Sequence, residues 1–392
     1  MKEIWITNAR CIFPDGIKEK TVVVKDGQIF DFPDDICPPP EAVVVDAQGK
    51  YLSPGFIDTH THGAGGCDYM DGSCEAMITA AKTQLKHGAT TIVPTPLAAA
   101  QEEILHTLRV YQTVKQSMKD GPHLAGLHLE GPYFAMSQRG AQPPQYIRVP
   151  KAEEYMEIME LAAGDIRIWS LAPELDGAME LIKVCQRSGI RTSVGHSDAA
   201  YETVQQAYEL GCKRITHLYS ACSTITRVNG YRRLGVVESA FLLKDMYVEL
   251  IADGCHLPPA LIRLVYDAKG ADRICLVTDS MRAAGTDATT SVLGSLQNGT
   301  EIIIEDGVAK MPSRECFAGS IATCDRLVRV AWKQAKIPLH EAVKMAATTP
   351  AASVGLADKT GSIALGKAAD LILFDEDINV SWHMVGGNII EC

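Results

Sequence analysis

Two histidines separated by one residue, His60 and His62, close an apolar run that begins at Pro54. On a β-strand, residues i and i+2 point to the same side, so these two imidazoles converge. Neutral imidazole is the commonest metal ligand in proteins, and two at one strand end form half of a metal site. The pair alone is a weak indication of metal binding, and its context strengthens it.

Four further candidate ligands, Glu130, His196, His217 and Asp279, each end a separate short apolar run. Four imidazoles and two carboxylates suit Zn²⁺ or another borderline divalent ion. Glu130 has two carboxylate oxygens and can bridge two ions. Taken singly, Glu130 is also compatible with a helix cap or an ion-paired acid, and each histidine with a core residue. Their recurrence at the ends of runs favours a site for one or two divalent ions, most simply Zn²⁺.

Two of these residues are candidates for catalysis. A carboxylate such as Asp279, beside a metal ion, can take a proton from water and pass it to a leaving group. The alternative role for Asp279 is an N-cap of the next helix. His256 follows another apolar run and could polarise a substrate carbonyl, although an ordinary loop histidine fits the same position.

The elements that must position these residues alternate in type. Between about 54 and 355, short apolar runs alternate with helical patterns, which is typical of repeated βα units. The eight candidate strands are 55–62, 89–95, 124–130, 166–172, 190–196, 214–217, 248–253 and 274–279. Helical patterns occupy 73–87, 105–119, 152–163, 177–188 and 201–210. We therefore predict an α/β fold, a (β/α)₈ TIM barrel whose active site lies at the carboxyl ends of the strands.

Both termini are rich in β-branched residues. Runs at 4–6, 21–24 and 42–45 precede the predicted barrel, and similar runs at 361–363, 370–374 and 388–390 follow it. Chain ends often lie close together, so we predict one small β-sandwich domain from residues 1–53 and 356–392. The barrel then spans 54–355, with a β-hairpin inserted near 292–311, where Asn298-Gly299 and Asp306-Gly307 are turn dipeptides.

The composition excludes several classes of protein. The chain of 392 residues carries a formal net charge of −11 without long charged runs, which argues against nucleic-acid binding. No apolar stretch approaches the roughly 20 residues that cross a membrane, and the first residues have no signal-peptide pattern. The twelve cysteines include no C-x-x-C pair, which favours reduced thiols. We expect a cytoplasmic protein.

Several segments resemble a known family. They are Pro54–His62, Gly126–Pro132, Val194–Ser197, Thr216–Tyr219, Ala252–His256, Val277–Asp279, Ala318–Ser320 and Gly361–Leu371. Together they resemble the amidohydrolase superfamily and, within it, the N-acetylglucosamine-6-phosphate deacetylases. Many superfamily members bridge their metals with a carboxylated lysine on strand 4, but 166–172 contains no lysine. Glu130, in Leu-His-Leu-Glu-Gly-Pro, is then its substitute.

The resemblance implies hydrolysis of the N-acetyl amide of an amino-sugar 6-phosphate. It implies that Glu130, His196 and His217 hold the principal ion, and that His60 and His62 hold a second. Asp279 would deprotonate water and protonate the leaving nitrogen, and His256 would contact the substrate. The resemblance also implies a homodimer in which the neighbour completes the phosphate pocket.

The match weakens at the residues expected to bind substrate. Where the family usually has a histidine, this chain has the neutral Gln142, and where it has Asn-Ala-Met the chain has Ser220-Ala221-Cys222. Arg227 is the candidate for the phosphate-binding arginine. Arg232 or Arg233 could take that role instead, since guanidinium groups match phosphate well, and all three are also compatible with solvated loop positions.

Three functional hypotheses follow. The first is deacetylation of N-acetylglucosamine 6-phosphate, with N-acetylgalactosamine 6-phosphate as a variant substrate. The second is an amidohydrolase that acts on another N-acyl amine or cyclic amide. The third is an inactive barrel with a structural role, which the presence of all six candidate ligands argues against.

Overall fold

The computed structural model describes residues 3–391, so Met1, Lys2 and Cys392 of the predicted terminal domain lie outside the described residues. The centre of the molecule is built from short parallel strands, all within or close to the predicted segments. Their bounds are Phe56–Thr61, Ala89–Pro94, His123–Leu124, Leu127–Glu130, Ile166–Leu171, Arg191–Val194, Arg214–Ile215, Tyr247–Leu250 and Ile274–Leu276. Nearly all of their residues are buried, as expected for parallel strands covered on both faces.

Helices follow most of these strands and pack their apolar faces on them. The α-helices are Cys74–Lys86, Gln101–Ser117, Ala152–Ala162, Ala178–Arg187, Tyr201–Glu209, Val236–Leu242, Pro259–Lys269, Cys324–Arg329, Leu339–Ala346 and Thr348–Ser353. The first begins where the Ser73 hydroxyl accepts a hydrogen bond from the Ala76 N–H, a normal N-cap. No helix within residues 3–391 is both long and apolar enough to cross a membrane.

The parallel strands form two sheets, one of three strands and one of six. Hydrogen bonds join them at both edges. On one side the Glu130 N–H, in the six-stranded sheet, donates to the Pro96 carbonyl that follows the strand Ala89–Pro94 of the other sheet (3.1 Å). On the other, the Asp279 N–H donates to the His60 carbonyl (2.8 Å), and Thr61 pairs with Ser280. The carboxyl ends of the first and last strands are therefore adjacent.

Strands from both termini share a third sheet of eight strands. The N-terminal strands are Ile4–Phe13, Gly16–Lys25, Gln28–Asp31, Val43–Asp46 and Tyr51–Pro54, and the C-terminal ones are Leu371–Phe374, Val380–Val385 and Asn388–Ile390. The two sets meet where Leu371–Phe374 pairs antiparallel with Tyr51–Pro54. This sheet has its own apolar core, which includes Ile6, Val22 and Leu371.

Three local predictions differ from the structure. Residues 361–363, expected to be extended, form no strand, because Gly361 turns the chain with φ +87°. Where one hairpin was expected near 292–311, three antiparallel strands follow one another: Thr290–Leu293, Thr300–Glu305 and Val308–Lys310. The segment that carries Arg227, Arg232 and Arg233, for which no strand was predicted, forms an exposed hairpin of Thr226–Val228 and Tyr231–Arg233.

Candidate metal centre and active site

Three of the predicted ligands meet at a single point. The Oε1 atom of Glu130 lies 3.0 Å from the Nε2 atom of His196 and 3.0 Å from that of His217. The two Nε2 atoms are 3.1 Å apart. All three side chains are buried, so the fold brings together a carboxylate and two imidazoles that are distant in sequence. This is a donor set that suits a divalent ion.

The other three predicted ligands form a second group beside the first. The Nε2 atom of His62 lies 2.9 Å from Oδ1 of Asp279, and that of His60 lies 3.5 Å from the same oxygen. Glu130 connects the two groups, since its Oε1 is 3.5 Å from His60 Nε2 and its Oε2 is 3.4 Å from His62 Nε2. His60 Nε2 is buried and has no hydrogen-bond partner. A buried imidazole nitrogen without a partner, facing two carboxylates, fits an ion.

The opposite nitrogen of each imidazole is held by an acceptor. Nδ1 of His62, His196 and His217 lies 2.8–3.1 Å from the carbonyl oxygens of Thr95, Gln138 and Ser220. Nδ1 of His60 lies 2.9 Å from Oε2 of Glu249. A proton on each Nδ1 donates to these oxygens, so when the imidazole is neutral its Nε2 lone pair is directed inward. Metal-binding histidines are held in this way.

Mutual electrostatics dominate the ionisation of the cluster. Burial raises the pKa of Glu130, but His60 and the bonded imidazoles reverse this and hold its pKa well below the usual range. Burial likewise raises the pKa of Asp279, and His60 and His62 bring it below its usual value. Burial lowers the pKa of His60, yet Asp279, Glu130 and Glu249 raise it to about 10. Protons therefore balance the carboxylates, and a bound cation would replace them.

Three of the six candidate ligands adopt a backbone conformation that is rare outside glycine. The φ angles of His196, His217 and Asp279 are +48°, +30° and +46°. Such a conformation costs about 1–3 kcal/mol per residue and persists where surrounding contacts enforce it. One of these contacts is a hydrogen bond from the His217 N–H to Oε2 of Glu249 (3.3 Å). This backbone conformation directs the three side chains toward the cluster immediately after their strands end.

The predicted catalytic His256 lines a pocket that five of the six candidate ligands, all but His60, also line. Its Nδ1 lies 2.9 Å from Oδ2 of Asp253, whose other carboxylate oxygen accepts the His256 N–H (2.8 Å). The ring packs on Phe317 with a centroid distance of 4.7 Å. Burial raises the pKa of Asp253, but the bonded His256 keeps it below its usual value. A carboxylate thus fixes one edge of the imidazole, and the Nε2 edge is turned away from it.

Of the predicted substrate-binding residues, all but Arg227 line this pocket, which has a volume of about 200 Å³. Gln142, Ser220, Ala221 and His256 lie around it. Arg227 lies instead on the exposed hairpin and does not contribute to the pocket. Within residues 3–391, no lysine or arginine lines the pocket. The remaining lining residues are five candidate ligands, His62, Glu130, His196, His217 and Asp279, together with Leu97, Gly140, Ala141, Leu293, Cys316, Phe317 and Gly319.

A buried polar layer, absent from the sequence predictions, lies beneath the cluster. The Arg214 guanidinium donates to Oε1 of Glu249 (2.6 Å), and Glu249 in turn contacts His60. His128 packs edge-on against the His60 ring, and its burial lowers its pKa to about 3, so it is neutral. His128 and Glu130 are i and i+2 on one strand, so the rule that paired His60 with His62 could have found it.

The fold and this site define a class of protein. The chain belongs to the amidohydrolase family, whose model matches residues 51–390 and confirms the resemblance predicted from the sequence. Among its relatives is the N-acetylglucosamine-6-phosphate deacetylase of Vibrio furnissii, 34% identical over 339 residues, or 86% of this chain and 82% of the relative. The solved structure of N-acetylglucosamine-6-phosphate deacetylase from Pasteurella multocida is 31% identical, with a TM-score of 0.91 over 99% of both chains.

A relative with a different sugar in its name is nearly as similar. The N-acetylgalactosamine-6-phosphate deacetylase of Escherichia coli O157:H7 is 29% identical over 347 residues, which is 88% of this chain and 89% of that protein.

Proposed function

We propose that this protein hydrolyses the N-acetyl group of an amino-sugar 6-phosphate, converting N-acetylglucosamine 6-phosphate into glucosamine 6-phosphate and acetate. The observation that carries the proposal is the convergence of Glu130, His196 and His217 on one point, with Asp279 beside them at the pocket. Relatives that share about a third of this sequence carry that activity in their names.

The cluster fits a divalent metal ion, and we propose Zn²⁺, with one or two ions per subunit. Glu130, His196 and His217 would hold one ion, and His60 and His62, with Glu130 shared, would hold the other. When bound, the metal supplies Lewis-acid polarisation of the substrate carbonyl and activation of water.

Asp279 would transfer the proton from the attacking water to the leaving nitrogen. Its carboxylate lines the pocket and is anchored by His62, and its lowered pKa keeps it ionised at neutral pH. An ionised carboxylate in this position can accept a proton from the attacking water and deliver it to the departing nitrogen. His256, oriented by Asp253, would contact the acetyl carbonyl or a sugar hydroxyl.

The architecture that supports this chemistry would be a closed (β/α)₈ barrel spanning 54–355, joined to a small β-sandwich domain of 1–53 and 356–392. Hydrogen bonds at both edges of the two parallel sheets support closure of the barrel. The shared sheet of the two termini, with its separate apolar core, supports the small domain.

A homodimer would solve the problem of binding a phosphate dianion in a pocket that no lysine or arginine of residues 3–391 lines. The hairpin 226–233 carries Arg227 and Arg232 directly opposite each other, and Tyr231 at its tip is 81% exposed. Like charges facing across two strands are destabilising unless an anion lies near them. We propose that this hairpin reaches the pocket of a neighbouring subunit, where Arg227 binds the phosphate. A cytoplasmic location stays a prediction from the sequence.

The sugar epimer is the finer question. The similarity to an N-acetylgalactosamine-6-phosphate deacetylase supports that epimer as the second candidate substrate. The two sugars differ only at one hydroxyl, so the same metal centre serves both. An amide without phosphate is a third candidate, since the loop around Gln142 departs from the family pattern.

The test is acetate release by protein of known metal content. N-acetylglucosamine 6-phosphate, its galacto epimer and unphosphorylated N-acetylglucosamine would be compared, with Asp279→Asn and the exposed Asp287→Asn as matched variants. We expect turnover of a phosphorylated sugar that Asp279→Asn abolishes and Asp287→Asn leaves intact. Failure of the metal-loaded wild type on both phosphorylated substrates would refute the proposal.

A further inference from the structure

Gln142 is buried at the edge of the metal cluster, and both ends of its amide are engaged. Its side-chain oxygen accepts a hydrogen bond from the Ala98 N–H (3.0 Å). Its Nε2 donates to Oε2 of Glu130 (2.7 Å). A backbone N–H can only donate and an ionised carboxylate can only accept, so this orientation of the amide is the one that satisfies both partners.

The bond to Glu130 sets the rotation of that carboxylate. Oε1 of Glu130 faces His196 and His217 at 3.0 Å, whereas Oε2 faces His62 at 3.4 Å and accepts the hydrogen bond from the Gln142 amide. Rotation about the last side-chain bond of glutamate is soft, so a free carboxylate would sample many angles. Together with the imidazoles on Oε1, the amide on Oε2 restrains that rotation at the ligand that connects both halves of the cluster.

The loop that carries Gln142 restrains a second ligand as well. The Gln142 N–H donates to the Arg139 carbonyl (3.0 Å), and the Arg139 guanidinium donates back to the Gln142 carbonyl (3.2 Å). One residue earlier, the Gln138 carbonyl lies 2.9 Å from Nδ1 of His196. Loop 138–142 thus fixes Glu130 through a side chain and His196 through a backbone carbonyl.

From these contacts we infer that Gln142 is a positioning residue that acts through Glu130 on metal affinity. This differs from the sequence prediction, in which Gln142 contacts the substrate. The inference rests on the proposed metal centre but not on the identity of the substrate. If Gln142 contacted the substrate, its replacement would alter KM and leave metal affinity unchanged. If Gln142 positions Glu130, its replacement weakens metal affinity and leaves KM nearly unchanged.

The experiment compares wild type with Gln142→Met, which keeps the length of the side chain but cannot hydrogen-bond to Glu130. Apoprotein would be titrated with Zn²⁺ against a chromophoric chelator, without substrate. Loss of an outer contact to a metal ligand weakens affinity about 10–100-fold, so we expect the Kd to rise by at least about tenfold. At saturating Zn²⁺, the KM for N-acetylglucosamine 6-phosphate should stay within about twofold, because the variant loses no contact with the substrate, and it is loss of such binding that raises KM.

Replacing Zn²⁺ with Co²⁺ gives a spectroscopic measurement of ligand geometry, which general destabilisation of the fold does not change. Because the ligand geometry changes, Gln142→Met should shift the visible absorption bands of bound Co²⁺. Gln205→Met, on the helix Tyr201–Glu209 away from the site, is the matched control and should change neither Kd nor spectrum. Gln142→Asn, too short to reach Glu130, repeats the test should the methionine variant fail to fold.

The outcomes separate cleanly. An unchanged Zn²⁺ affinity together with a raised KM would overturn the inference and restore Gln142 as a substrate contact. If wild type binds Zn²⁺ but hydrolyses no amino-sugar phosphate, the proposed substrate fails while the affinity measurement still decides the role of Gln142. If wild type binds no divalent ion, the metal centre itself is refuted, and the inference with it.

Discussion

Arg214 and Glu249 form a buried ion pair, with 2.6 Å between guanidinium and carboxylate, directly beneath the metal cluster. One oxygen of Glu249 contacts both halves of that cluster, since it lies 2.9 Å from Nδ1 of His60 and accepts the His217 N–H. Burial raises the pKa of Glu249, but His60 and Arg214 hold it far below the usual range. The pair therefore keeps an anion where two candidate ligands need an acceptor.

Breaking this pair should strongly destabilise the protein. Removal of one partner of a buried ion pair leaves an uncompensated charge, and we expect Arg214→Met to lower the free energy of unfolding by about 3–5 kcal/mol. The double variant Arg214→Met/Glu249→Met should recover only part of that loss, because the ion pair leaves no partner behind but His60 and the His217 N–H lose their acceptor. Urea denaturation of metal-free protein measures both. Arg263→Met, which removes an exposed pair with Asp267, is the control and should change stability by less than about 1 kcal/mol.

Metal binding should release protons at neutral pH. In the metal-free protein the pKa of His60 is raised to about 10, so its Nε2 carries a proton that an ion must displace. We expect Zn²⁺ affinity to rise with pH until about 10, and calorimetry in buffers of different ionisation enthalpy to show the release. His60→Asn should release fewer protons. A proton count that is zero at pH 8 would contradict the assignment of His60 as a ligand.

The same raised pKa of His60 also stabilises the metal-free fold. This stabilisation decreases as pH rises, whereas Zn²⁺ affinity increases. A group whose pKa is higher in the folded state contributes stability that is complete below its unfolded value, near 6.5 for histidine, and is lost as pH rises toward the folded value. The contribution of His60 should therefore fade between about pH 6.5 and 10. Thermal unfolding of chelator-treated wild type and His60→Asn across this range would measure it, and parallel pH profiles would contradict it.

The order of the central strands was predictable because each is a short apolar run buried on both faces. The run at 166–172, for example, became the strand Ile166–Leu171. The terminal sheet was less predictable. Gln28–Asp31 is short and mostly exposed, so it has no apolar pattern to find. Residues 361–363 have the right composition, but the positive φ of Gly361 is incompatible with a strand.

The six candidate ligands were predictable because each ends an apolar run, where parallel strands direct side chains to one place. Glu249 lies inside its strand and Arg214 begins its strand, so neither is at a carboxyl end, and an isolated charge in an apolar run gives no sign of its partner. Gln142 illustrates a further limit. Its position beside the pocket followed from the family pattern, but its bond to Glu130 depends on the path of a loop.

Asp253 should matter to catalysis through His256 and not through the metal. Its carboxylate accepts from Nδ1 of His256 and from two backbone N–H groups, so it fixes both ring and loop. Misplacement of a substrate-contacting group by about 1 Å can cost about 100-fold in rate, and we expect Asp253→Asn to lower kcat/KM on that order. Metal content should be unchanged, as it should in the exposed control Asp267→Asn. Loss of metal from Asp253→Asn would instead assign Asp253 to the metal centre.

The exposed hairpin makes the proposed dimer testable by mixing two inactive variants. If each pocket uses its own Asp279 and the neighbour's Arg227, then Arg227→Ala and Asp279→Asn subunits should each be inactive as homodimers. A heterodimer would contain one intact pocket, with Asp279 from the first chain and Arg227 from the second. Because a two-fold dimer has two equivalent pockets, random mixing should restore about one quarter of wild-type sites.

Co-expression with two different affinity tags isolates the heterodimer, and its acetate release is the measurement. Recovery would show that the arginines of this hairpin act on the neighbouring pocket, as the absence of any lysine or arginine from the pocket lining of residues 3–391 leads us to expect. A heterodimer that stays inactive would mean that Arg227 serves its own chain or none.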